Sequence, residues 1–265
     1  MKLTYTLIDP TKNLTLLVTT PVARTVQPQA AGWLLRRVPQ AEQVAFLEPS
    51  DRAQARVQMM GGEFCGNAAM GVAAWLSRKD GVSRELTLEV SGAAEPVACA
   101  VTPVQGGWIG TVSMPLPERI AAVALPLPDG ELSLPVVFLP GICHVIAPAG
   151  AVSRDRAEEH LRRWAPLLGA EAAGLLLWDE AASSFTPLVY VKETDTAVWE
   201  QGCGSGSAAL GAYLTAERQA DQCLTLRQPG GSIAVATRWD GERLASLTIT
   251  GTVSFSAEKT VDLVF

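Results

Sequence analysis

Imidazole is scarce in this sequence: His144 and His160 are the only histidines in 265 residues. The five cysteines, Cys65, Cys99, Cys143, Cys203 and Cys223, are widely spaced and include no C-x-x-C pair. That pattern speaks against a structural zinc centre, and an odd count without a secretion signal speaks against a disulfide framework. Positive charge is thin, with 21 Lys and Arg against 27 Asp and Glu and a net charge of −6. No basic block or aromatic-basic stripe tracks phosphates, so nucleic acid is not expected as a partner. Long hydrophobic runs are missing too. The apolar stretch from Val136 to Val152 is broken by Pro140, His144 and Pro148 and makes no membrane span. Met1 to Pro10 alternates like a strand and lacks the charged, apolar and small-residue regions of a signal peptide, so a cytoplasmic protein is expected.

What the chain does have is a copy of itself. Cys65-Gly66-Asn67 and Cys203-Gly204-Ser205 are separated by 203 − 65 = 138 positions. At the same offset Ala74-Trp75-Leu76 falls on Ala212-Tyr213-Leu214, Leu86-Thr87-Leu88 on Leu224-Thr225-Leu226, and Gly92 on Gly230. Gly110-Thr111-Val112-Ser113 then recurs as Gly251-Thr252-Val253-Ser254, shifted by three more residues, which places an insertion near Asp240-Gly241. Two copies are too few for a solenoid, so the reading is two homologous halves. The Pro-rich and turn-rich stretch from Pro115 to Gly130 reads as the boundary. The expected organisation is an N-terminal domain over 1–118 carrying Cys65, a linker over 119–131, and a C-terminal domain over 132–265 carrying Cys203.

Alternating runs at Leu86 to Val90, Val97 to Val101 and Leu247 to Ser254 predict strands. Alanine-rich segments with helical spacing predict helices over Asn67 to Ser77 and Ser205 to Arg218, with further helices over Pro28 to Arg37 and Arg154 to Leu168. The expected class is α+β, with one sheet-and-helix unit present twice.

Each member of the repeated cysteine pair lies in a glycine-rich turn immediately before an alanine-rich helix. The first amides of a helix lack internal partners and sit in positive potential. A thiol there is expected to ionise more easily than the ordinary value of about 8.5. The same amides can bind a carboxylate without arginine. Inverting a Cα centre needs a base on one face and an acid on the other, which one thiolate and one thiol supply. A carboxylate held at helix starts stabilises the developing enediolate. The chain shows no glycine-rich phosphate cradle for pyridoxal phosphate, and no cofactor is expected. A single such cysteine is ordinarily a small buried hydrophobe; the coincidence at equivalent repeat positions favours chemistry. Cys99, Cys143 and Cys223 have no cysteine at their repeat partners and read as structural.

At these residues the sequence resembles the diaminopimelate epimerase-like family over nearly the whole chain. The resemblance implies two pseudo-symmetric domains, each a barrel-like sheet around a central helix, with the site in the cleft between them. It also implies a small amino-acid substrate, no metal or coenzyme, and a homodimer, as for many members. Glu42-Gln43-Val44, Glu63 to Ala68, Trp199-Glu200 with Cys203 to Gly206, and Gln228 to Ile233 are more closely similar to the family's histidine racemases, which supply D-histidine for opine metallophores. That likeness implies Cys65 and Cys203 as the two bases. It implies Asn13, Glu42 and Glu200 as substrate-binding positions, with Gly66, Asn67, Gly204 and Ser205 at the helix starts that receive the substrate.

The departures from true diaminopimelate epimerases concern the far end of the substrate. Their Glu-Arg-Gly motif is Glu200-Gln201-Gly202 here, and neutral Gln201 cannot form a charged fork to a distal carboxylate. The asparagine of their Gly-Asn-Pro-His stretch is similar in place to Ile142 in Gly141-Ile142-Cys143-His144. A pocket that has lost a cation and gained an apolar side chain is expected to reject a second zwitterion. Glu42 is either a solvated strand end or an acceptor for an imidazole N–H. Asn13 is either a turn residue or a substrate contact. Glu200, three residues before Cys203, is expected to face the substrate ammonium. Epimerisation of another amino acid, diaminopimelate included, a proline- or hydroxyproline-type racemase and a Cys65–Cys203 redox sensor remain as alternatives.

Overall fold

The computed structural model describes residues 1–193 and 195–263. The first stretch of chain forms β1 (Lys2–Pro10), β2 (Thr15–Val18), α1 (Gln27–Arg37), β3 (Gln43–Glu48), β4 (Ala55–Met59), α2 (Gly66–Ser77), β5 (Arg84–Val90), β6 (Val97–Val104) and β7 (Gly107–Ser113). The middle forms β8 (Arg119–Leu127), β9 (Gly130–Leu139), β10 (Ile142–Pro148), α3 (Arg154–Leu168), β11 (Ala172–Asp179), β12 (Ser184–Val191), β13 (Thr196–Trp199), α4 (Gly204–Arg218), β14 (Gln222–Gln228) and β15 (Gly231–Trp239). The chain ends with β16 (Leu244–Phe255) and β17 (Lys259–Asp262). Packing divides it into two compact units, Met1–Ser113 with Thr250–Phe265, and Met114–Ile249.

In the first unit, strands β1 to β7 pair in sequence, and the end of β16 pairs with both β7 and β1, closing an eight-strand barrel. Such a barrel has a narrow interior, and here it holds α2, which packs on β1, β4, β5, β6 and β7. Small side chains bring much of the helix close to the strands. Ala68, Ala69, Ala73 and Ala74 are fully buried, and a Cβ on Gly71 would come within 2.6 Å of Ile8. A helix buried on nearly every face must be apolar all round, as α2 is. The parallel pairs β2–β3 and β4–β5 each need a crossover, supplied by α1 and α2. Val44 and Phe46 of β3 face the core under α1. Strand alternation therefore turns Gln43 and Ala45 the other way.

The second unit has corresponding crossovers. Parallel β10–β11 is bridged by α3, and parallel β12–β14 by the segment containing α4. The α3 side buries Leu161, Trp164 and Ala165 against β8 and its neighbours, and Trp164 Nε1 donates to Pro126 O at 2.9 Å. α4 packs on β9, β10, β14 and β15.

The helices and strands expected from sequence form within three residues of the expected ends. The expected linker does not read out as a connection. Residues 119–127 are strand β8, paired throughout with β9 in a hairpin whose turn is Pro128-Asp129. The prolines and Asp129-Gly130 that suggested a boundary make a strand end and a tight turn, and Leu125 of β8 is fully buried. The C-terminal residues from Thr250 onward return to the first unit, because β16 and β17 both pair with β1. Long-range pairing of this kind leaves no local signal. The expected insertion near Asp240 is the turn between β15 and β16, closed by Asp240 N to Arg243 O at 3.1 Å.

Candidate functional site

In the first unit, Cys65 ends the glycine-rich turn in extended conformation (φ −131°, ψ 105°) and caps α2. Its Sγ accepts from Ala68 N at 3.4 Å, so the thiol itself satisfies one of the free amides of the helix start. Gln43 Nε2 also donates to Sγ, at 3.3 Å, and reaches Asn13 Oδ1 at 2.7 Å and Thr15 Oγ1 at 2.9 Å. Asn13 Nδ2 in turn donates to Glu42 Oε2 at 2.6 Å. Carboxylate, two amides and sulfur form one continuous chain.

In the second unit, Cys203 caps α4 in the same way (φ −110°, ψ 105°), and its Sγ accepts from Gly206 N at 3.3 Å. Its backbone is clamped at both polar groups: Cys203 N donates to Gln228 Oε1 at 2.6 Å, Ser207 Oγ donates to Cys203 O at 2.7 Å, and Gln228 Nε2 donates to Ser207 Oγ at 2.9 Å. Ser205 Oγ lies 3.5 Å from Sγ and 3.0 Å from His144 Nε2.

The electrostatics of this half differ from the sequence expectation. Burial pushes the Cys203 thiol well above its ordinary value, and the neighbouring Glu200 carboxylate, which accepts its hydrogen bond, adds to the shift. Desolvation outweighs the helix start at this sulfur, which is 3% exposed. Burial likewise pushes the Glu42 carboxyl up, against the opposing hydrogen bond from Asn13. His144 is fully buried and pushed down to about 3, so its imidazole is neutral. Cys99 and Cys143 are buried and pushed up to about 12, consistent with inert core thiols. Cys223, which reads as structural in the sequence, is exposed on β14.

Asn13, Glu42, Cys65, Gly66 and Asn67 thus gather in the first unit, and Glu200, Cys203, Gly204 and Ser205 in the second. Gln201 is exposed, and Ile142 opens β10 half-buried. Sequence reasoning missed Gln43, Thr15, Gln228 and Ser207, and saw His144 only as a metal ligand that lacks companions. Among the described residues no cluster of three or more His, Cys, Asp or Glu could hold a metal. The one available signal for Gln43 was a polar residue sharing a strand face with buried Ala45.

The repeated glycines have a visible purpose. Gly92 (φ +76°) lies where a Cβ would overlap the backbone N of Phe64, just before Cys65. Its repeat partner Gly230 donates its N–H to Gln201 O at 2.7 Å, just before Cys203. Gly92→Ala should therefore destabilise the protein by about 3 kcal/mol through backbone strain plus overlap. Gly81→Ala, at φ +65° with open space around it, should cost only about 1 kcal/mol. Thermal melts of the two variants check this, and equal losses would mean that the Phe64 contact is soft.

A family profile described as "Histidine racemase CntK N-terminal domain" matches residues 2–261. A histidine racemase of Staphylococcus aureus is 28% identical over 240 residues, covering 87% of this chain and 86% of that protein. One from Fusobacterium nucleatum is 28% identical over 199 residues, covering 72% of each. Among solved structures, a probable proline racemase from Agrobacterium radiobacter K84 with bound carbonate superposes with a TM-score of 0.73 at 16% identity, covering 98% of this chain and 93% of its own. That likeness shows a shared fold. No described helix is long and apolar enough to cross a membrane.

Proposed function

The chain belongs to the histidine racemase family, and from that membership we propose that it interconverts L- and D-histidine through the thiols of Cys65 and Cys203. It is an isomerase of the amino-acid racemase class. The observation that carries the mechanism is the thiol cap, present at the start of α2 and again at α4 with the same amide-to-sulfur contact. We read this recurrence as a duplicated, pseudo-symmetric pair of domains. One sulfur takes the Cα proton while the other returns a proton from the opposite face, and the roles exchange for the reverse reaction. Amides at the helix starts stabilise the negative charge that builds on the substrate carboxylate. Cys203, beside Glu200, favours the protonated form and serves as the acid in the resting enzyme, which leaves Cys65 as the base. Glu42 receives the imidazole, and neutral Gln201 offers no charged fork to a distal carboxylate. The product, D-histidine, suits an opine-metallophore pathway, as the resemblance implies.

The test is incubation with each L-amino acid, diaminopimelate and proline in D₂O, without added metal or coenzyme. Deuterium should enter Cα of histidine with loss of optical purity. Preferential exchange into diaminopimelate or proline would overturn the substrate assignment, and no exchange into any of them would overturn the racemase mechanism.

A further inference from the structure

We infer that Gln43 is a positioning residue that holds the Cys65 sulfur as a thiolate, and that its orientation is set by Glu42 through Asn13. The inference deepens the reading of Cys65 as a base and rests on it.

The argument follows from donor and acceptor chemistry along the chain. An ionised carboxylate only accepts hydrogen bonds. The Asn13 group 2.6 Å from Glu42 Oε2 is therefore its NH₂, which leaves Asn13 Oδ1 facing Gln43. An amide oxygen also only accepts, so Gln43 must present its NH₂ to Asn13. That same nitrogen is the atom 3.3 Å from Cys65 Sγ. Each amide is thus locked in one of its two flipped states by the charge at the far end. Gln43 Nε2 has two hydrogens for three acceptors: one goes to Asn13 Oδ1, and the other is shared between Thr15 Oγ1, whose own hydrogen goes to Asn13 O at 3.1 Å, and Cys65 Sγ, with an ionised sulfur the stronger of the two acceptors. The strand pairing that places Thr15 opposite Gln43 holds both in register. Asn13 is only 5% exposed, so water does not readily replace these partners. A donor aimed at sulfur favours its charged form. At Cys203 the side-chain neighbours include the Glu200 carboxylate, an acceptor that pushes the thiol up, beside the Ser205 hydroxyl, which pulls the other way by less.

The test is the pH dependence of iodoacetamide alkylation, followed residue by residue by peptide mass mapping in the ligand-free protein. Gln43→Glu keeps the shape but puts an acceptor beside sulfur. It should raise the Cys65 midpoint by about one pH unit or more and leave the Cys203 midpoint where it was. Gln43→Met removes the donor without adding charge and should give a smaller upward shift. Glu42→Gln frees both amides to flip and should also move the Cys65 midpoint upward. At neutral pH, kcat of the Gln43 variants should fall about tenfold, with KM for histidine little changed. A merely structural Gln43 would lower the melting temperature and leave the midpoint in place. Unchanged Cys65 midpoints in both Gln43 variants overturn the inference. Alkylation needs no substrate, so a protein that fails to racemise histidine still reports on Gln43.

Discussion

Cys65→Ser and Cys203→Ser should each lower kcat for histidine racemisation by about 10³-fold or more, with the fold intact. Positioned acid–base groups contribute roughly 10²–10⁴-fold each, and a hydroxyl is too weak an acid to supply a base at neutral pH. The structure says why the variants should fold. Both sulfurs act as caps, accepting from Ala68 N and Gly206 N, and serine is among the strongest capping residues. Melting temperatures should therefore stay within a few degrees of wild type or rise. Loss of activity with retained melting is the expected pair of results. Near-normal turnover in either variant would rule out the two-base mechanism, whatever the substrate.

The second largest effect is expected at Glu42. Glu42→Ala should lower kcat/KM for histidine by about 10- to 150-fold, the loss of one charged hydrogen bond worth roughly 1.5–3 kcal/mol. A site built to pair with a polar group rejects what lacks it more strongly than an apolar pocket rejects a change of size. The pH profile carries a sign that can be checked. Burial holds the Glu42 proton to higher pH than an ordinary carboxylate. Below that raised value the carboxyl is neutral and the ion pair with imidazolium is lost. Above the free imidazole value of ~6.5 the imidazole is neutral and the pair is lost again. KM for histidine should pass through a minimum between the two, and Glu42→Gln should flatten the acid side. Wild-type kinetics in Glu42→Ala would reduce the residue to a strand end that also anchors Asn13.

The two effects separate the two halves of the chemistry. Serine at 65 or 203 removes proton transfer and leaves recognition, so KM should change little where turnover is measurable. Alanine at 42 removes recognition, and part of its effect should also reach Cys65 through Asn13 and Gln43. A pH profile of thiol alkylation in the same variant apportions the two.

Much of this was legible before folding, for reasons that are local. A cysteine between glycines and an alanine-rich run is a helix start whatever surrounds it, and α2 and α4 begin at Gly66 and Gly204 as that pattern requires. The 138-residue offset is arithmetic on the chain and needs no coordinates. Asn13, Glu42 and Glu200 came only through resemblance to relatives, since nothing in their local sequence separates them from turn and strand-end residues.

Tertiary structure decided what depends on partners distant in sequence. Gln43 touches Cys65 because β2, β3 and the turn before α2 converge, and a polar residue on a strand does not announce its hydrogen-bond partner. Cys203 resists ionisation although it caps a helix, because desolvation and Glu200 outweigh the amides there. The return of Thr250–Phe265 to the first unit follows from pairing β16 and β17 with β1 across nearly the whole chain. Sequence alone determined that two thiols stand at equivalent helix starts, since thiol identity and helix starts are written residue by residue. Burial and the Glu200 neighbour, which exist only once the chain has folded, decided that the Cys203 thiol is held well above its ordinary value.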